Sequence, residues 1–162
     1  GEYFTQDSIR QTGEAFKTRI GRTVYGGGGI TPDIFVPEDT SDVTSYYKEA
    51  AFNGHIRQFA FDYVDKNRAT LNKFDSVKEL RDYLMRQNLL EKFASYAEQQ
   101  GLHRRNLMLY RSRRLFERAI LGSIIYEARS IAEYIEYLNE DDKVVKEALN
   151  LIKEGNTYPK KK

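Results

Sequence analysis

From Ser41 onward, apolar residues recur every three or four positions, the spacing that gathers side chains on one side of an α-helix. Phe52, Ile56, Phe59, Ala60 and Tyr63 form such a face, with Gly54 expected to break or bend the run near its start. Ser76 followed by Glu79 makes a capping box ahead of Val77, Leu80 and Leu84, so a new helix begins there. Residues 89–100 read as the next helix, stopped by Gly101. The longest predicted element covers residues 104–138, where Leu121, Ile124, Ala128, Ile131, Ile135 and Leu138 keep alternating spacings of three and four. Ile120, Ile125 and Ala132 widen that stripe. A stripe so broad suits a central helix packed on two or more neighbours, and truncating Ile131 within it would cost roughly 2 to 5 kcal/mol. Asn139, Asp141 and Asp142 offer caps to a last helix that carries Val144, Val145, Ala148, Leu149 and Ile152 and stops at Gly155.

The first 40 residues follow another rule. They hold seven of the eleven glycines and two of the three prolines, whereas 41–155 contain no proline. Thr23, Val24 and Tyr25 favour strand, as do Ile34, Phe35 and Val36, and between them lies the run of four glycines at 26–29. Proline lacks the amide hydrogen that a ladder needs, so Pro32 and Pro37 bracket a short edge segment. The change of pattern at 37–40 predicts a β and loop segment over 1–40, a helical domain over 41–155 and a solvated tail over 156–162. The fold class is mainly α: a helical bundle of five to six helices with a short N-terminal glycine-rich β segment.

The segment 21–37 resembles a known family. Gly21-Arg22, Gly28-Gly29-Ile30 and Pro32-Asp33-Ile34, with Phe16-Lys17-Thr18 leading in, are similar to the stretch that follows the catalytic core of C-terminal processing peptidases, the tail-specific serine proteases of bacterial envelopes. The resemblance covers about the first 40 residues. That family uses a serine in a Gly-x-x-x-Ser-Ala setting and a lysine after it, both upstream of this motif, and neither setting occurs here. The resemblance therefore implies a non-catalytic C-terminal region that completes the core sheet, with a helical body for scaffolding, dimerisation or gating. It also implies a periplasmic or envelope location, and protein or peptide substrates that reach the parent enzyme through catalytic and peptide-binding PDZ portions not in this chain. No catalytic residue carries over.

Composition narrows the rest. A 162-residue chain with 40% hydrophobic and 13% aromatic residues can bury a sizeable core. It has no cysteine, which excludes disulfides, thiolate catalysis and cysteine-ligated metal. No apolar run approaches the roughly 20 residues of a membrane-spanning helix. No signal-peptide pattern opens it, an absence that carries no information in a fragment. The 26 basic and 24 acidic residues balance, so any electrostatic partner must be read from local clusters.

Four candidate features remain. The four-glycine run could cradle a phosphate, but a strand rather than a helix follows it, which favours a tight crossing of backbone segments. Asp33, beside Pro32, suits a turn that fixes the entry to 34–36, and it lacks the partner a general base needs. His55 and His103 have no carboxylate or second histidine at helical ligand spacing, so neither a metal nor another cofactor is expected. The eight serines sit in polar or helical contexts, and Gly122-Ser123 falls in an apolar helical run rather than at a nucleophile turn. The strongest electrostatic feature is the stretch 103–118, where Arg104, Arg105, Arg111, Arg113, Arg114 and Arg118 face only Glu117. Tyr110 and Phe116 are interleaved with them, which makes nucleic acid conceivable. The overall balance and the nearby acids Glu133, Glu136, Glu140, Asp141 and Asp142 instead favour pairing within the chain or docking on an acidic protein. The alternative reading is thus a free-standing helical adaptor that uses a basic 104–118 helix, with homo-oligomerisation left open.

Overall fold

The computed structural model describes residues 13–19, 21–26, 34–38 and 40–155. The expected roles of Asp33, of glycines 27–29 and of the 156–162 tail lie outside them. The protein is mainly helical, with a short two-stranded sheet near its N-terminus. The chain divides into two compact units, Thr40–Asp141 and a second made of Gly1–Asp39 with Asp142–Lys162.

The Thr40–Asp141 unit opens with helix α1 (Ser45–Phe52), whose N-cap Thr44 accepts the Tyr47 amide hydrogen. Gly54, at φ 74, separates α1 from α2 (His55–Leu71); no atom crowds it, so the site asks for glycine's left-handed backbone and nothing else. Ile56, Phe59, Ala60 and Tyr63 are buried as their spacing predicts, but Phe52 is 87% exposed because its helix ends before that face begins. Ser76 caps α3 (Val77–Met85) by accepting the Glu79 amide. Only half of the predicted box closes, since the Glu79 carboxylate takes the Asp75 amide instead of the Ser76 one. Helix α4 (Leu89–Gln99) buries Leu89, Leu90, Phe93, Ala94 and Ala97 and is followed by Gly101 as expected.

The predicted 104–138 helix is three helices: α5 (Asn106–Arg111), α6 (Arg113–Ala128) and α7 (Ile131–Glu140). Both breaks have local polar causes. At the first, Ser112 is fully buried and donates to the Asp42 carbonyl at 2.5 Å, while the Thr44 amide and hydroxyl meet its oxygen at 3.2 and 2.7 Å. Those bonds hold residues 42–44 against the α5–α6 corner and turn the chain there. At the second, Arg129 is extended and its guanidinium donates to the Leu71 and Phe74 carbonyls. Ser130 then starts α7 with a complete capping box on Glu133. Beyond that restart the register is new. Tyr137 is buried with Tyr134 and Leu138 beside it, while Ile131 and Ile135, expected at the heart of the core, are 67% and 49% exposed. Splitting this run, and the run at Gly54, raises the count to eight helices among the described residues.

Helices α2 and α6 make the most extensive contact in the unit, and α4 packs on both. Their meeting point is aromatic. The buried Phe116 ring lies 5.7 Å from Tyr46, 5.1 Å from Tyr47 and 5.3 Å from Phe93, and Phe93 in turn meets Phe59 edge-on at 5.7 Å. The Arg81–Glu140 ion pair ties α3 to α7, and the Tyr137 hydroxyl donates to the Arg118 carbonyl at 3.1 Å.

Burial pushes the Tyr63 and Tyr137 phenols up to about 12. An unfolded phenol ionises near pH 10, so this stabilisation is complete below about pH 10 and is lost as pH rises toward 12. The thermal midpoint should therefore fall across pH 10 to 12, and Tyr63→Phe with Tyr137→Phe should flatten that fall. A parental midpoint level across this window would contradict the assignment.

In the other unit, β1 (Ala15–Lys17) pairs antiparallel with β2 (Thr23–Tyr25), with Phe16 opposite Val24. The predicted strand at 34–36 is absent: these residues form a bend and irregular chain, so the partner of β2 lies before it rather than after it. Pro37 explains part of this, since a prolyl nitrogen cannot extend a ladder. Helix α8 (Lys143–Lys153) is capped as predicted, with the Asp142 carboxylate accepting the Val144 and Val145 amides. None of its residues is buried, and Val144, Leu149 and Ile152 of its apolar face are exposed. No helix among the described residues is long and apolar enough to cross a membrane.

Candidate functional site

Two features are candidates for a functional role, and each is built by a different local rule. The first is the hairpin. Its turn closes through the Gly21 amide on the Thr18 carbonyl at 2.8 Å and the Arg22 amide on the Thr18 hydroxyl at 3.1 Å. At the open end the Gly26 amide donates to the Glu14 carbonyl at 2.9 Å, and Gly13 faces Gly26 so closely that a Cβ on Gly13 would stand 1.8 Å from the Gly26 oxygen. A Cβ on Gly26 would meet the Phe16 ring at 2.9 Å. The first glycine of the run is thus part of a backbone crossing with its amide already spent, which removes it from any phosphate cradle. All six strand residues are exposed or half-buried, so this sheet has no core of its own.

The second is the basic segment, which is not one helix but the approach to α5, α5 itself and the first turns of α6. Half of its arginines are neutralised inside the unit. Arg104 lies 2.8 Å from Glu91, Arg105 3.4 Å from Glu49 and Arg113 2.7 Å from Glu117. Glu91 also accepts the Tyr110 hydroxyl at 2.8 Å, and that bond, followed by Arg104, holds its carboxyl below the usual range. The other three arginines meet neutral groups or none. Arg111 donates to the Ser41 carbonyl at 3.0 Å, Arg118 to the Leu138 carbonyl at 3.3 Å, and Arg114 has no ion-pair partner among the described residues. Sequence spacing could not make this division, because Glu49 and Glu91 come from distant helices.

The residues considered for catalysis and metal binding do not converge. Ser123 lies within α6, the hydroxyls of Ser112 and Ser130 serve the turns they stand in, His55 opens α2, and His103 lies within the α4–α5 connection. Among the described residues, no group of three or more acidic or histidine side chains could hold a metal ion. An open groove of about 640 Å³ runs beside the start of α2, lined by His55, Arg57, Gln58, Phe61, Tyr96 and Glu127 among others. The Arg57–Glu127 pair spans it at 3.9 Å, but no nucleophile faces a base there.

A family model, the family of unknown function DUF8443, matches residues 46–128. The chain belongs to this family. The matched span runs from the first turn of α1 to the end of α6, so it takes in the aromatic core and the basic segment but not the hairpin. No curated protein and no solved structure matches the chain.

Proposed function

We propose that this chain is the non-catalytic C-terminal region of a serine-type carboxyl-terminal processing peptidase of the bacterial envelope. In this reading the hairpin completes the sheet of the peptidase core, and the helical unit serves as scaffold, dimerisation element or gate. The observation that carries it is the hairpin within the glycine-rich motif. Isolated two-stranded ribbons are marginal in water, and a ribbon whose strand residues are exposed or half-buried, with no third strand among the described residues, is material for a larger sheet. The motif at 21–37 supplies the kind of sheet, since its residues resemble the stretch that follows the catalytic core in that family. The Gly13 and Gly26 crossing supports it too, because it brings two backbones together where any side chain would separate them.

Peptide hydrolysis needs a nucleophile within reach of a base and donors for the oxyanion, so the chain alone should cleave no unstructured peptide. The test compares the chain with a longer form that restores the sequence preceding it in its gene. Activity in the longer form, lost on Gly26→Val, is expected. A preceding sequence without Gly-x-x-x-Ser-Ala and a following lysine would sink the reading. So would cleavage by the chain alone that survives repurification and is abolished by Ser123→Ala.

A further inference from the structure

The basic segment poses a question that internal pairing does not answer. Arg111, Arg114 and Arg118 are exposed and meet no carboxylate among the described residues, although three neighbouring arginines do. Arg111, in the last turn of α5, suits the dipole of its helix, but Arg114 does not. Arg114 lies in the first turn of α6, which has no acidic residue and no side-chain cap, and a cation there stands at the positive end of the helix dipole. Beside these charges is apolar surface. Leu107 is 91% exposed, Tyr110 is half exposed, and both share with Arg111 the side of α5 opposite the buried Leu109. Arg114 and Arg118, four apart, share one side of α6 in the same way.

We propose that Leu107, Tyr110 and Arg111 of α5, with Arg114 and Arg118 of α6, form a docking surface for an acidic protein segment that sets carboxylates around an apolar side chain. The inference does not depend on the peptidase reading. Charge complementarity identifies the occupant: guanidinium forks without counterions match carboxylates bidentately, and the projecting leucine asks for an apolar neighbour. Nucleic acid fits less well. A tight phosphate-binding surface makes about 6 to 10 phosphate contacts, whereas this segment leaves three arginines without a carboxylate and neutralises the others with Glu49, Glu91 and Glu117. Of the two interleaved aromatics Phe116 is buried, which leaves Tyr110, tied by its hydroxyl to Glu91, as the one ring of this segment on which a base could stack.

The experiment begins with a random peptide display library selected on the full chain at physiological ionic strength, followed by titration of one enriched peptide. Enriched peptides should carry several carboxylates flanking an apolar residue. Arg111→Glu with Arg114→Glu should weaken the titrated peptide about tenfold or more, and Leu107→Ser about fivefold or more. Arg111→Lys with Arg114→Lys, which keeps the charge, should weaken it less than the glutamate pair. Leu107→Ser, at a side chain 91% exposed, should leave the thermal midpoint at the parental value, and the lysine pair serves as the folding control for the glutamate pair, whose Arg111 also holds the Ser41 carbonyl. The proposal is overturned if nothing is enriched, if enriched peptides lack carboxylates, or if the glutamate pair binds as the parent does. Tighter binding of mixed-sequence RNA or DNA than of the peptide, with a steep salt dependence, overturns it in favour of phosphate recognition.

Discussion

Phe116→Ala should lower the thermal midpoint of the helical unit by roughly 15 °C or more. The ring is fully buried and touches those of Tyr46, Tyr47 and Phe93, which come from α1 and α4. Truncating a buried phenylalanine costs about 3 to 5 kcal/mol through lost transfer energy and the cavity left behind. Each lost ring pair adds about 0.5 to 1.5 kcal/mol. A domain holds only about 5 to 15 kcal/mol in total, so one substitution removes a large share. Phe52→Ala is the matched control: its ring is 87% exposed, and the expected change lies within about 0.5 kcal/mol. Differential scanning calorimetry of the two variants decides the matter. Equal midpoints would mean that the α1, α4 and α6 contact is not the centre of the fold.

The helices were legible where periodicity and caps agree. The face from Ile56 to Tyr63, the Ser76 start, the Gly101 stop and the Asp142 cap all stand where their spacing predicts, because each depends on residues within one or two turns. What escaped were features set by residues far apart. Ser112 breaks a helical run only because its hydroxyl finds the Asp42 carbonyl, 70 residues away in sequence. Arg129 leaves its helix for carbonyls at Leu71 and Phe74, more than 50 residues away. Strand β1 was missed because Ala15 and Lys17 are weak strand formers and the pattern there is three residues long.

The basic segment was visible as a charge run, but its division into paired and unpaired arginines was not. Arg113 and Glu117 are four apart and could be matched by eye. Arg104 finds Glu91 and Arg105 finds Glu49 only after α1, α4 and α5 have come together. The glycine run shows the opposite case. Its reading as a backbone crossing needed only the knowledge that no side chain fits, and the Gly13–Gly26 approach bears that out for the glycine at 26.

Ile124→Ala and Ile131→Ala should differ sharply, although an unbroken helix would put both residues on one face. They stand seven apart, a whole number of heptads, which is why the apolar stripe joined them. Ile124 is fully buried in α6, so its truncation should cost about 2 to 5 kcal/mol. Ile131 follows the Ser130 cap, is 67% exposed, and should change stability by no more than about 0.5 kcal/mol. Chemical denaturation gives both values, with an unchanged slope on denaturant as the check that each variant still unfolds in one step. Similar losses for the two would mean that residues 113–138 run as one helix with Ile131 in the core. A loss confined to Ile124 would mean that the polar corner at Arg129 and Ser130, rather than the apolar stripe, sets the direction of α7.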